Sequence, residues 1–132
     1  MGAWGHGGFE NDDAADWVQL FLEDGKSALV SALDQVLELG DADYLEATAA
    51  SNAIAAGEIV AAARDGELES LSEPARVALA KHRTGFKAED LTVPSRRAVE
   101  RVLRQSELKE LWEEDDAGPW LAVTHRLMAR LA

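Results

Sequence analysis

The residues able to do chemistry crowd into the first seventeen positions. Trp4, His6, Phe9, Asn11, Asp12, Asp13, Asp16 and Trp17 stand among glycines at 2, 5, 7 and 8. Asp12 and Asp16 are one turn apart on a helix and share a face; with His6 approaching, they offer ligands to a hard divalent ion. The same glycines permit tight backbone turns, and Trp4 and Phe9 are apolar anchors for folding the segment back onto the bundle, with a hydrogen-bonding, small-molecule or metal site beneath it as the functional reading. A purely structural role competes with both. In it Trp4 and Phe9 plug into the core, Asn11 or Asp12 caps a helix start, and Asp16 bonds a backbone amide or an arginine. That role is the leading expectation, because Asn and Asp are ordinary helix caps. Trp4, Gly5, Gly7, Phe9, Asn11, Asp12, Asp13, Asp16 and Trp17 are therefore the candidate motif, whether ligand-binding or structural.

Beyond this segment the chain shows no catalytic constellation. There is no HExxH, no glycine-bearing calcium loop and no second paired histidine. His82, between Lys81 and Arg83, suits the surface, and His125 suits a helix surface or a packing position. Ser and Thr lack an adjacent His or Lys at a nucleophile spacing, and with no cysteine there is no thiolate nucleophile, disulfide or thiolate metal site. No catalytic residue, no metal and no cofactor are assigned, and the balance is against an enzyme.

Charge divides the chain into two unequal halves. The net charge is −12. Residues 1–70 carry 15 Asp and Glu against only Lys26 and Arg64, whereas residues 71–132 carry 10 acids and 11 bases. Asp34, Glu38, Asp41, Asp43 and Glu46 make one acidic tract, and residues 107–116 make another. A field of this sign speeds association with a basic partner. The expected function is a non-enzymatic protein-interaction module, immunity-like or inhibitor-like, with Asp41, Asp43 and Glu46 in the contact. The alternative is a small-molecule or divalent-metal site at the N-terminal motif, enzymatic or not. Arg97, Arg101 and Arg104 form a basic ridge that must face solvent or pair with another element. An acidic chain repels DNA at long range, so nucleic acid is not the expected partner.

The elements that must position these residues read as all-α, a compact bundle of about six helices with an ordered Gly- and Trp-rich N-terminal segment. Apolar residues at helical spacing place a first helix over 12–23, ended by Gly25, and a second over 26–39, stopped by Gly40. An alanine-rich third helix over 43–64 has apolar residues on two faces and is the expected centre of the bundle; Asn52 and Glu58 fall on those faces. Ser72 and Pro74 start a fourth helix that ends before Gly85. Residues 85–92 read as a loop, and Pro94 opens a fifth helix in its first turn. A break near Ser106 re-aims Leu108, Leu111 and Trp112, and Gly118 with Pro119 sets off a last helix carrying Trp120, Val123, Thr124, Leu127 and Leu131.

At 132 residues and 47% hydrophobic, the chain is expected to be a single domain, 1–132, able to bury its own core. No apolar run approaches the ~20 residues that span a bilayer. With neither a secretory leader nor cysteine, the expected location is cytoplasmic. Oligomeric state is not set by these patterns.

One resemblance extends over most of the chain. WGHGGFENDDAADW at 4–17 closely resembles the opening of the bacterial proteins grouped as domain of unknown function 4259. YLEA at 44–47, AGEIVAA at 56–62 and SELKELWE at 106–113 are also similar to that family. The resemblance implies a compact helical bacterial domain and carries no settled activity.

Overall fold

The computed structural model describes residues 5–132, so Trp4 of the candidate motif lies outside the described residues. These residues form α1 (Asp12–Asp24), α2 (Lys26–Leu37), α3 (Ala47–Asp65), α4 (Glu73–His82), a 3-10 turn (Arg83–Gly85), α5 (Ala88–Arg104), α6 (Glu107–Glu113) and α7 (Gly118–Arg130), with no strand among them. Among the described residues the bundle is all-α and has seven α-helices.

Short polar side chains start several of these helices. The Asn11 side chain accepts the Ala14 amide at 2.8 Å, Ser72 accepts that of Ala75 at 3.3 Å, and Ser106 accepts that of Lys109 at 3.1 Å. Each satisfies an amide that the helix itself leaves without a partner. Between α1 and α2 the chain reverses at Gly25, whose φ of 63° is a conformation that side chains resist. Space forbids a side chain there too, since a Cβ would lie 2.6 Å from His82 Nδ1.

The third helix is the centre, as its composition suggested. From Ala53 to Ala62 every residue is buried, and the helix packs against α1, α2, α4, α5, α6 and α7. Alanine suits this position because its small side chain lets neighbours approach on every side at no cost in rotamer entropy. Around it Phe21, Leu29, Leu33, Leu45, Ile59, Leu79, Val99 and Leu127 are fully buried in one continuous core.

Three boundaries differ from the sequence expectation, each for a physical reason. Helix α2 stops at Leu37 instead of 39 and α3 starts at Ala47 instead of 43. The intervening residues are held as a loop by Arg101, whose guanidinium donates to the Gly40 carbonyl at 3.1 Å and the Asp43 carbonyl at 2.6 Å. Helix α5 begins at Ala88, so Pro94 sits inside it rather than opening it. Glu89 and Asp90 favour the earlier start through the helix dipole. Asp90 is exposed, so water can take the carbonyl that Pro94 leaves without an amide.

Candidate functional site: a cavity and an acidic face

The N-terminal motif divides between core and cavity. Phe9 and Trp17 are buried, with Trp17 stacked on Phe21 at a ring separation of 5.6 Å. Asn11 is the α1 cap. Gly5, Gly7, Asn11, Asp12 and Asp13 line a cavity of about 190 Å³, and Asp16 is exposed outside it. The opposite walls come from far along the chain: Ala47, Ser51 and Ile54 of α3, Leu108 and Trp112 of α6, and Trp120 of α7.

Close packing holds the motif against α3. A Cβ on Gly8 would meet Ile54 Cγ2 at 3.1 Å and Glu58 Cγ at 3.2 Å. The turn is closed by the Glu10 amide donating to the Gly7 carbonyl at 3.1 Å, and the Glu10 carboxylate accepts the Gly7 amide at 3.2 Å. Asp13 accepts the Thr48 hydroxyl at 3.4 Å, a long bond between α1 and α3. His6 leans on Trp112, ring centroids 5.1 Å apart at 44°. Among the described residues no three His, Asp or Glu side chains converge closely enough to hold a metal ion. His6, Asp12 and Asp16 thus make no ion site there.

The second assembly is an acidic face that joins the two tracts. Glu107 donates its amide to the Leu45 carbonyl at 2.9 Å, and its carboxylate accepts the Ala47 amide at 2.8 Å, capping α3 from sixty residues away. Beside it the Tyr44 hydroxyl donates to the Glu110 carboxylate at 3.0 Å. Asp41, Asp43, Glu46, Glu110, Glu113, Glu114, Asp115 and Asp116 are all exposed. Tyr44 itself is 55% exposed. Partial loss of hydration, the bond to Glu110 and the charges of Glu107 and Glu110 push its phenol up to about 12. With more than half of the side chain in water, the two carboxylates are the cause that solvent leaves in force.

The three acids expected in a contact differ in their partners. Asp41 meets Arg104 at 3.2 Å, an ion pair open to water. The Asp43 carboxylate accepts the Gly40 amide at 2.8 Å and so shapes its own loop. Glu46 is exposed. Of the basic ridge, Arg97 and Arg104 are exposed, while Arg101 is only 5% exposed and serves the backbone of the α2–α3 loop. The ridge is therefore not one surface.

The buried polar residues fall into place largely as supports. Glu58, 3% exposed, accepts the Ser70 hydroxyl at 2.7 Å and pairs with Arg130 at 3.2 Å. Burial raises its pKa, against the pull of Ser70 and Arg130. Arg130 also grips Asp65 with two bonds, 2.9 and 3.0 Å, which hold that carboxyl below the usual range. Asn52 is half-buried and its Oδ1 has no hydrogen-bond partner among the described residues. His82 is not the surface residue its basic neighbours suggested. It is half-buried against Phe21, with Nε2 2.7 Å from the Leu22 carbonyl at the α1–α2 corner. His125 is exposed.

Sequence reasoning missed Ser51 and the cavity-facing role of Leu108, Trp112 and Trp120. It also missed Tyr44 as the aromatic residue of the acidic face. Glu107 carried no local cap signal, because the amide it caps is distant in sequence.

Among the described residues no helix is long and apolar enough to cross a membrane. No curated protein and no solved structure significantly matches the chain. Residues 2–122 match the model of the Domain of unknown function (DUF4259), and the chain, which opens on that family's motif and folds as a helical bundle, belongs to this family.

Proposed function

We propose that this chain is a non-enzymatic interaction module that binds a basic protein through its acidic face. The observation that carries this reading is the pair of bonds, Tyr44 to Glu110 and Glu107 to the Ala47 amide, that merges two acidic tracts into one surface. Separate tracts would each give a weak field. Joined, they add, because the Tyr44 bond draws Glu110 to the segment that carries Asp43 and Glu46, and charges within the ~8–10 Å screening length at moderate salt act together in steering. The exposed Tyr44 at its centre supplies what charge alone lacks, a large, stiff amphipathic contact of the kind that dominates binding energy at interfaces. Asp41, Asp43 and Glu46 are exposed in the α2–α3 loop and are the part of this face that the loop contributes.

The reading is tested by capture from a lysate of the native host on three immobilised forms: the unaltered chain, Tyr44→Ala, and the triple change Asp41→Asn, Asp43→Asn, Glu46→Gln. A basic protein should be retained at low salt by the unaltered chain, weakened by either variant, and released near ~0.5 M salt, where surface charge is mostly screened. A partner held equally by all three forms at both salt levels, or none held by the unaltered chain, would falsify the acidic-face reading.

A further inference from the structure

The cavity under the glycine-rich segment has the chemistry of an ammonium site, independent of the acidic face. Part of its wall is aromatic, the half-buried Trp112 and the buried Trp120. Asp12 and Asp13 bring two carboxylates. Among the described residues neither has an Arg or Lys partner, since the ion pairs there use Arg104 and Arg130. The start of α1 opposes these carboxylates with the equivalent of only about half a positive charge. More than one negative charge therefore remains, a field that repels an anion.

A second feature points inward from α3. Ser51 is 3% exposed and lines the cavity, and none of the side-chain hydrogen bonds among the described residues engages its hydroxyl. A hydroxyl on a buried residue that no side-chain hydrogen bond among the described residues engages, at the wall of a cavity, favours a polar group that enters beside it. The volume, about 190 Å³, equals roughly six waters at ~30 Å³ each. A bare divalent ion is disfavoured, because among the described residues no three His, Asp or Glu side chains converge. Indoles and carboxylates lining one cavity instead suit a cation whose charge is spread over an apolar body.

We infer that this cavity binds a small organic ammonium ion about the size of choline, with its cationic head against the indoles, balanced by Asp12 and Asp13, and a hydroxyl reaching Ser51. The test titrates the full chain with choline, with ethanolamine, and with 3,3-dimethylbutanol, the uncharged isostere of choline. Calorimetry and tryptophan fluorescence read the binding. Saturable binding of at least one ammonium is expected, at least about tenfold tighter than the isostere. Asp12→Asn with Asp13→Asn should weaken it by about tenfold, Trp112→Leu by a similar factor, and the conservative Ser51→Ala by a few-fold, with far-UV circular dichroism showing each variant folded.

The triple change at Asp41, Asp43 and Glu46 should leave binding unaltered, which separates the cavity from general attraction by an acidic protein. A preference for choline assigns a methylated ammonium, and a preference for ethanolamine a primary amine. The inference is overturned if neither ammonium saturates, if the isostere binds as tightly, or if the triple change weakens binding as much as the cavity variants do.

Discussion

Glu58 shows how one residue can sit deep in a core and still be held. Its carboxylate has Ser70 and Arg130 as partners, yet burial outweighs both and its pKa is raised from 4.5. The folded state thus holds this proton more tightly than the unfolded chain does. The stability that Glu58 contributes is full below the unfolded value and is lost as pH rises through the raised folded one. Asp65 runs the opposite way. Its pKa is lowered from 3.8 by the Arg130 hydrogen bonds, so its contribution is present above that value and is lost as pH falls through the depressed one. Replacing Glu58 by Gln removes the first dependence and leaves the second. The melting temperature of Glu58→Gln relative to the unaltered protein should therefore be more favourable at pH 7 than near pH 4.5, as read by calorimetry across that range. A gap that moves in the unaltered protein's favour as pH rises would contradict the burial argument.

At the scale of elements, the governing fact is that local signals were legible and remote ones were not. Asn11, Ser72 and Ser106 each cap the helix that begins at the next residue by accepting the amide three residues on, and each boundary was readable because cap and amide lie within one turn. Helix α3 takes its cap from Glu107, so nothing near Ala47 announced the true start. Arg101 is the sharper case. Its spacing from Arg97 and Arg104 reads as a basic ridge, but it also falls three residues after Ala98 and next to Val102, at the edge of the buried stripe of α5. Burial there is allowed because three backbone carbonyls, of Gly40, Asp43 and Gln105, accept from its guanidinium. Arg101→Met should leave the loop carbonyls without these donors and cost on the order of 2–4 kcal/mol in urea unfolding. Arg101→Lys should recover little, because a single ammonium cannot span the same fork. Arg97→Met, at an exposed site on the same helix, should stay within about 0.5 kcal/mol. Equal losses for Arg97 and Arg101 would restore the ridge as a single surface.

For the molecule as a whole, the fold was readable because alanine content and helical spacing agree along most of the chain, while the sites were not, because each is assembled from segments far apart in sequence. The cavity joins residue 5 to residue 120, and the acidic face joins Tyr44 to Glu110. Gathering acids in this way has an energetic consequence that can be measured without any partner. Two like charges about 10 Å apart repel by ~0.4 kcal/mol in water, and a net charge of −12 contains many such pairs. The ion pairs formed among the described residues engage only Asp41, Glu58, Asp65 and Glu67, so the exposed run Glu113, Glu114, Asp115 and Asp116 is relieved chiefly by mobile ions. Added salt should therefore stabilise the fold, raising the melting temperature by a few degrees between about 0.02 and 0.3 M, a range over which the screening length shrinks from roughly 20 Å to about 6 Å. Neutralising those four residues as Gln and Asn should raise the melting temperature in low salt, and the advantage should vanish at high salt. If salt instead lowers the stability of the unaltered chain, attraction between the halves outweighs repulsion within the acidic one, and the face is paired inside the molecule rather than offered to a partner.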